Sequence, residues 1–326
     1  MNNINSIKEE ILKANKIGLS FHTSPDGDAI GSTLGLLNAL LYLNKEAYII
    51  SRDVISDNLS FLPLSETVNK EVTQPTNDTD LVIVLDCGNV ERISAELSNY
   101  GGKIINIDHH ISNEMYGFIN YVDTKASATC EIVYLLLKEL EIDFKSESED
   151  IIAIGNCIYT GIVTDTGSYR HSNVTERTHK IASELIGIGI DNSKIHSNLF
   201  DNKPFDKVKL MGCVLSNIEL ELDGKVAVLE ISKNMIEQFN LPNTDTSDII
   251  SIGLSVKGVE VALLLKEVDE GVKASLRSKN DIDVRKVAEN FGGGGHIKAA
   301  GVMQRDVDLK VAKANLLKTL KEQMKL

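Results

Sequence analysis

The chain has 326 residues, 42% hydrophobic and 25% charged, with no Trp, which sets it apart from disordered and fibrous proteins and suggests two domains with separate cores. Its formal net charge of −13 argues against a broad surface for long duplex DNA, which needs many Lys and Arg contacts to phosphate. A small anionic substrate needs only a local positive patch or a bound metal.

The first segment, MNNINSIKEEILKANKIG, reads as an amphipathic helix and lacks the apolar core and cleavage site of a signal peptide. IGLSFH (17 to 22) is a strand-type run ending in the turn-forming TSPDGD. A helix is expected over 28 to 43, then strands at 47 to 51, 81 to 86 and 103 to 108. Apolar strands alternating with helices predict an α/β domain, a parallel sheet with helices on both faces. Helical patterns follow at 127 to 140, 148 to 163 and 175 to 189. The polar DNSKIHSNLFDNKPFDKVKL carries a Pro and marks a connector that becomes helical, dividing a domain at 1–190 and a linker at 191–212 from a smaller α/β domain at 213–326. In that second domain, strands are expected at 225 to 231, 259 to 268 and 271 to 278, and helices near 232 to 239, 246 to 254, 283 to 290 and 307 to 323. The apolar stretches 34 to 43 and 151 to 163 are too short or interrupted to span a bilayer, so no membrane segment is expected. Cys87, Cys130, Cys157 and Cys213 form no C-x-x-C pair and fit the reduced thiols of a cytoplasmic protein.

Four acidic and histidine signals stand out, and three of them directly follow expected strands, where open α/β sheets bind ligands. They are His22-Thr-Ser-Pro-Asp26-Gly-Asp28, Asp86 after LVIVL, Asp108-His109-His110 after KIINI, and Asp165 in GIVTDTGSYR. Taken singly, an Asp at a strand end reads as a helix cap or turn former. Taken together, four carboxylates on one rim repel one another unless cations neutralise them, and two divalent ions balance the charge. Mixed Asp/His donors without thiolate suit Mn, Mg, Zn or Fe, and a pair of such ions suits hydrolysis of a phosphate ester. Cys87 abuts one of these residues but has no base partner in sequence, which argues against cysteine nucleophilic chemistry.

HTSPDGDAIGS, VLDCG, DHH and GIVTDTGSYR, followed by GGGGH near the C-terminus, resemble in that order the DHH/DHHA1 phosphoesterase family, over nearly the whole chain. The resemblance implies that His22, Asp26 and Asp86 hold one metal ion. Asp28, Asp86, His109 and Asp165 would hold the other, with Asp86 bridging; Mn2+ is the expected ion. His110 would face the phosphate as hydrogen-bond donor or general acid, and Asp108 would orient it. The implied active site lies in a cleft between the two domains.

In the second domain, Gly293, Gly294 and Gly295 with His296 are expected to precede a helix, where successive backbone N–H groups make an anion site. A flexible linker is the plain alternative. GVKASLRSKN as a strand points Lys273, Ser275, Arg277 and Lys279 to one face; Arg277, with its planar fork, suits a phosphate contact, against a solvated edge strand. Arg170 is a further substrate-binding candidate, and Ser127 a plausible cap for the helix that follows it.

A two-domain chain of this length looks like the nanoRNase and pAp phosphatase branch. That implies hydrolysis of short oligoribonucleotides to mononucleotides and of 3'-phosphoadenosine 5'-phosphate (pAp) to AMP. The alternative is a phosphodiesterase for pApA or cyclic di-AMP. From another class comes a nucleotide-binding regulator without turnover, which the intact ligand set argues against. Short RNA, pAp and dinucleotides are thus the expected partners, with no duplex DNA and no membrane, and with a homodimer left open.

Overall fold

A computed structural model describes residues 3 to 241 and 246 to 326, and the chain divides into two compact units, Met1–Asn202 and Lys203–Leu326. In the first unit, α1 (Ile4–Lys13) starts where the Asn3 side chain accepts the Asn5 N–H, and it buries Ile7 and Ile11. It leads into β1 (Lys16–Ser20), α2 (Gly27–Tyr42) and β2 (Glu46–Ile49). After a long irregular stretch come β3 (Leu81–Leu85), β4 (Lys103–Asp108) and β5 (Ile119–Val122). The helices α3 (Thr129–Glu139), α4 (Glu149–Asp165), α5 (Glu176–Gly187) and α6 (Asn192–Phe200) complete the unit.

The five strands are all parallel in the order β2-β1-β3-β4-β5. Alternation along each strand divides the sheet. Ile17, Leu19, Leu81, Ile83, Leu85, Ile105 and Ile107 pack into the core shared with the helices. Val82 and Val84 point the other way, where Val72, Ile93, Ala95, Leu97, Tyr100 and Tyr116 cover them. The α/β class holds; among the described residues the second face carries a short 3-10 turn, Val90–Arg92, beside Ile93. The chain there is irregular, and its scattered apolar residues seal the sheet without helical periodicity.

Chain order reverses at the seam between β1 and β3, so the loops leaving their carboxyl ends run apart and open a crevice. The closeness of α2 and α4 completes this rim. A Cβ on Gly31 would lie 2.5 Å from the Cys157 carbonyl oxygen; one on Gly161 would lie 2.2 Å from Cys130 Sγ and 2.9 Å from Asp28 Oδ1. Gly161→Ala is therefore expected to cost about 1–3 kcal/mol by overpacking and to displace Asp28. The check is a lowered urea midpoint at unchanged slope. Wild-type stability would mean that the helices part freely.

The second unit starts with α7 (Phe205–Ser216), so the segment expected as a connector is itself mostly helix, split between the units at Asn202 and Lys203. It continues through β6 (Glu219–Glu221), β7 (Val226–Ile231), α8 (Lys233–Gln238), α9 (Ser247–Ser255), β8 (Val261–Val268) and β9 (Gly271–Ser278). The last elements are α10 (Val284–Glu289), β10 (Gly294–His296), β11 (Ala299–Arg305) and α11 (Leu309–Met324). The mixed sheet runs β10-β11-β9-β8-β7-β6. Val272, Ala274 and Leu276 face the core built with α10 and α11, while Leu229, Ile231, Ala262 and Leu264 pack on α7 and α9.

The glycine run departs from expectation: its last two glycines open the first strand of a β-hairpin, where a helix was expected to follow. Gly293 and Gly295 lie so close to β11 that a Cβ would meet the Gly301 carbonyl oxygen at 2.3 Å and the Ala299 carbonyl oxygen at 2.5 Å. Gly295 also has φ +140°, a region closed to other residues. Close backbone approach, not a helix N-terminus, explains these glycines. Among the described residues no helix is long and apolar enough to cross a membrane.

Candidate metal centre

The carboxyl ends of β1, β3 and β4 and the facing ends of α2 and α4 bring the first-unit residues together. Asp26 caps α2, accepting the N–H groups of Asp28 at 3.0 Å and Ala29 at 3.1 Å. Asp28, in the first turn of the same helix, accepts Thr129 N–H at 2.6 Å and Cys130 N–H at 2.9 Å from α3. It thus lies between two helix N-termini, which favour negative charge. Ser127 is not the cap of α3 as expected. The cap residue is Ala128, which makes no side-chain bond, and Asp28 satisfies the helix from outside while the Ser127 hydroxyl donates to Glu131 at 2.6 Å. Asp165 ends α4, where the helix dipole disfavours a carboxylate, so its place has to be explained by what it faces.

Two groups form around Asp86. His22 Nε2 lies 3.6 Å from Asp86 Oδ2 and 3.9 Å from Asp26 Oδ1. His109 Nε2 lies 3.7 Å from Asp86 Oδ1, 3.6 Å from Asp165 Oδ2 and 3.9 Å from Asp28 Oδ2. These separations are too long for hydrogen bonds and close to the roughly 3–3.6 Å between donors that share an ion at about 2.1 Å. Each oxygen of Asp86 faces a different group. Both ring systems also present the right nitrogen: His22 Nδ1 lies 3.0 Å from the Thr23 carbonyl oxygen and His109 Nδ1 3.3 Å from that of Ala126, so with Nδ1 donating there Nε2 is the nitrogen an ion would take on displacing its proton. Among the described residues no Lys or Arg lies within ion-pair distance of Asp26, Asp28, Asp86 or Asp165. The donor set fits cations.

His110 is held differently. Its Nδ1 lies 2.7 Å from Asp108 Oδ1, and Asn113 donates to Asp108 Oδ2 at 2.6 Å, so the carboxylate that orients the ring is fixed at both oxygens. Sequence reasoning missed Asn113. It also missed Thr129, whose hydroxyl donates to Asp86 Oδ1 at 2.8 Å, and Arg92, whose guanidinium lies 3.3 Å from His22 Nδ1. No local pattern marks these three residues. Arg170 is exposed and donates through Nε to the Gly167 carbonyl oxygen at 2.7 Å, so its own turn holds it. Arg277, half-buried on β9, pairs in register with Ala299 and Ala262 on the face away from the α10 and α11 core. Gly294 and Gly295 lie on β10, one strand further out across β11; the His296 side chain lies outside what is described.

Electrostatics follow from this crowding. Burial pushes Asp28 well above the carboxylate range, and the Asp86 and Asp165 charges add to it. Burial likewise raises Asp165 to about 7, with Asp86 and Asp26 opposing the favourable pull of His109. For His22 and His109 burial acts downward but the surrounding carboxylates prevail, bringing each to about 9. Burial would also raise Asp86, yet the three histidines hold it below the usual range. Cys87, buried, is pushed up to about 11 and is unreactive.

These raised groups, with His110 raised by its bond to Asp108 and by the Asp86 charge, make the folded metal-free protein bind more protons than the unfolded chain. Their contribution to stability is complete below the unfolded values of 3.8 and 6.5 and is lost as pH rises through the folded ones, to about 9 for His22 and His109. The lowered Asp86 works the other way, but above about pH 5 it is almost wholly ionised in both states and adds little slope. Between about pH 5 and 9 the melting temperature of metal-free protein is therefore expected to fall, and Asp165→Asn to flatten the fall. Added Mn2+ should raise it most at the alkaline end, because metal binding displaces these protons. A flat or rising profile for the metal-free protein would contradict this account of the cluster.

The DHH family N-terminal domain matches residues 16–162, and the DHHA1 domain matches 223–326. The bifunctional oligoribonuclease and PAP phosphatase NrnA of Thermus thermophilus is 33% identical over 97% of this chain and 93% of its own length. This chain is a DHH-family phosphoesterase. The enzyme of the same name from Bacillus subtilis is also 33% identical, over 86% of each chain. An exopolyphosphatase-related protein from Bacteroides fragilis superposes with a TM-score of 0.89 at 30% identity, covering 98% of this chain and 95% of that one. The DHH match spans His22, Asp26, Asp28, Asp86 and His109 but stops before Asp165, which α4 carries back to the same rim.

Proposed function

We propose that this phosphoesterase uses two divalent ions, Mn2+ in the first place, to hydrolyse short oligoribonucleotides to mononucleotides and to dephosphorylate pAp to AMP. The observation that carries the reading is the division of Asp86, one oxygen toward His22 and the other toward His109. His22, Asp26 and Asp86 would hold one ion, and Asp28, Asp86, His109 and Asp165 the other. Bound there, the ions would polarise phosphoryl oxygens and acidify water. His110, oriented by Asp108, holds a proton at Nε2 for the leaving oxygen, and Arg277 with the β10 glycines is the candidate contact for a second phosphate. The names of the 33%-identical relatives support this substrate class.

The test is a panel of pAp, pApA, cyclic di-AMP, RNA of two to five nucleotides and a long single strand, run with chelator and after Mn2+ add-back. Turnover of pAp and of the short RNAs, abolished by chelator and restored by Mn2+, is expected. Full activity after verified metal removal would overturn the metal role. Preference for the long strand, or for cyclic di-AMP with no action on pAp, would overturn the substrate assignment.

A further inference from the structure

Asp86 is the residue on which a two-ion centre depends, yet nothing in its own strand fixes its carboxylate. It sits one residue beyond β3 with left-handed backbone (φ +53°) and is 2% exposed. A side chain at such a point can rotate, and a rotated carboxylate turns both oxygens toward one group. The hydroxyl of Thr129, fully buried, prevents this by donating to Oδ1 at 2.8 Å. An ionised carboxylate only accepts, so the proton on that bond is the hydroxyl's.

Thr129 is free for this task because its helix needs no cap from its own chain segment. It is the first residue of α3, its N–H and that of Cys130 are taken by Asp28, and the preceding Ala128 contributes no side-chain bond. One helix start thus grips two carboxylates, Asp28 through backbone and Asp86 through a side chain. The grip itself is braced: Glu131, two residues on and fully buried, accepts from Ser127 and from Thr178 at 3.1 Å and pairs with Arg177, which reaches Asp123 at 2.8 Å. Asn173 ties the same segment to the end of α4, donating to the Ser127 carbonyl oxygen at 2.8 Å and to that of Asp165 at 3.2 Å. The network serves to hold the start of α3 in register.

We infer that Thr129 is a positioning residue that fixes how Asp86 is divided between the two ions, an inference that rests on the two-ion reading above. The hydroxyl engages Oδ1, the oxygen on the His109 side, so its loss weakens the ion held by Asp28, His109 and Asp165 more than the ion held by His22 and Asp26. Removing such an outer hydrogen-bond partner of a ligand costs about 10- to 100-fold in metal affinity.

The experiment is a calorimetric Mn2+ titration of metal-free wild type, Thr129→Val and Thr129→Ser, with melting curves to verify folding. Wild type and the serine variant should bind two ions alike, whereas the valine variant should bind two with one event weakened about 10- to 100-fold. Its turnover number should recover as Mn2+ is raised, with KM for substrate little changed. Wild-type protein that binds fewer than two ions defeats the two-ion reading itself, whatever Thr129 does. Two ions in wild type with unaltered affinities in the valine variant overturn the role of Thr129. Equal losses in valine and serine variants also overturn it, since packing and not the hydroxyl would then matter. If the valine variant does not fold, Thr129→Ala against Thr129→Ser makes the same comparison, the two differing only by the hydroxyl.

Discussion

Asp86→Asn should yield a folded protein that binds two Mn2+ ions no longer and turns over substrate at least about 10³-fold more slowly, a loss near 4 kcal/mol of transition-state stabilisation. Asparagine tolerates the left-handed backbone at φ +53° and can still accept the Thr129 hydroxyl through its one oxygen. What it cannot do is present an anionic oxygen to both groups. Asp86→Ala should match it in activity and be less stable, because alanine pays the left-handed strain that asparagine largely escapes. Calorimetric stoichiometry and kcat/KM on pAp, measured beside melting temperature, check both variants. Two ions bound by Asp86→Asn with near-normal turnover would remove Asp86 from the bridging position.

Much of the candidate centre was legible because each element announces itself locally. Runs such as LVIVL are long enough and apolar enough to be strands buried on both faces, and Asp86, His22 and the Asp108 to His110 segment follow them directly. What escaped depends on partners distant in sequence. AAGVMQR has helix-compatible residues but pairs along its whole length with β9, from Ala299 opposite Arg277 to Arg305 opposite Gly271. Long-range pairing overrides local preference there. INYV at β5 is short and only weakly alternating, and it is a strand because β4 offers an edge. Ser127 looked like a cap because no local rule foresees that Asp28, 101 residues away, takes the Thr129 N–H. Thr129 was missed for the same reason, its partner Asp86 lying far back in the chain. Asn113 reaches Asp108 from the loop that follows it, a local contact for which neither spacing nor residue type is a signal.

His110→Ala is the substitution that separates a proton donor from a metal ligand. Asp86, His109 and His110 lie close enough to form a third possible ligand group, with His110 Nδ1 3.6 Å from Asp86 Oδ1. The same nitrogen lies 2.7 Å from Asp108 Oδ1, and burial notwithstanding, that bond and the Asp86 charge raise the affinity of the ring for its proton. A protonated Nδ1 cannot also ligate an ion, so the ring is set to act through Nε2. The variant is therefore expected to keep both Mn2+ ions at near-normal affinity while kcat on a ribonucleotide ester falls about 10²- to 10⁴-fold, the usual range for a lost general acid. An ester with a p-nitrophenol leaving group departs without help from a proton. On that substrate the loss should shrink to a small fraction of the first. Asp108→Asn, which keeps the side-chain shape but weakens the hold on the imidazole, should fall between wild type and His110→Ala. If instead the alanine variant binds one ion fewer, or loses activity equally on both esters, His110 belongs among the ligands and the proton comes from elsewhere.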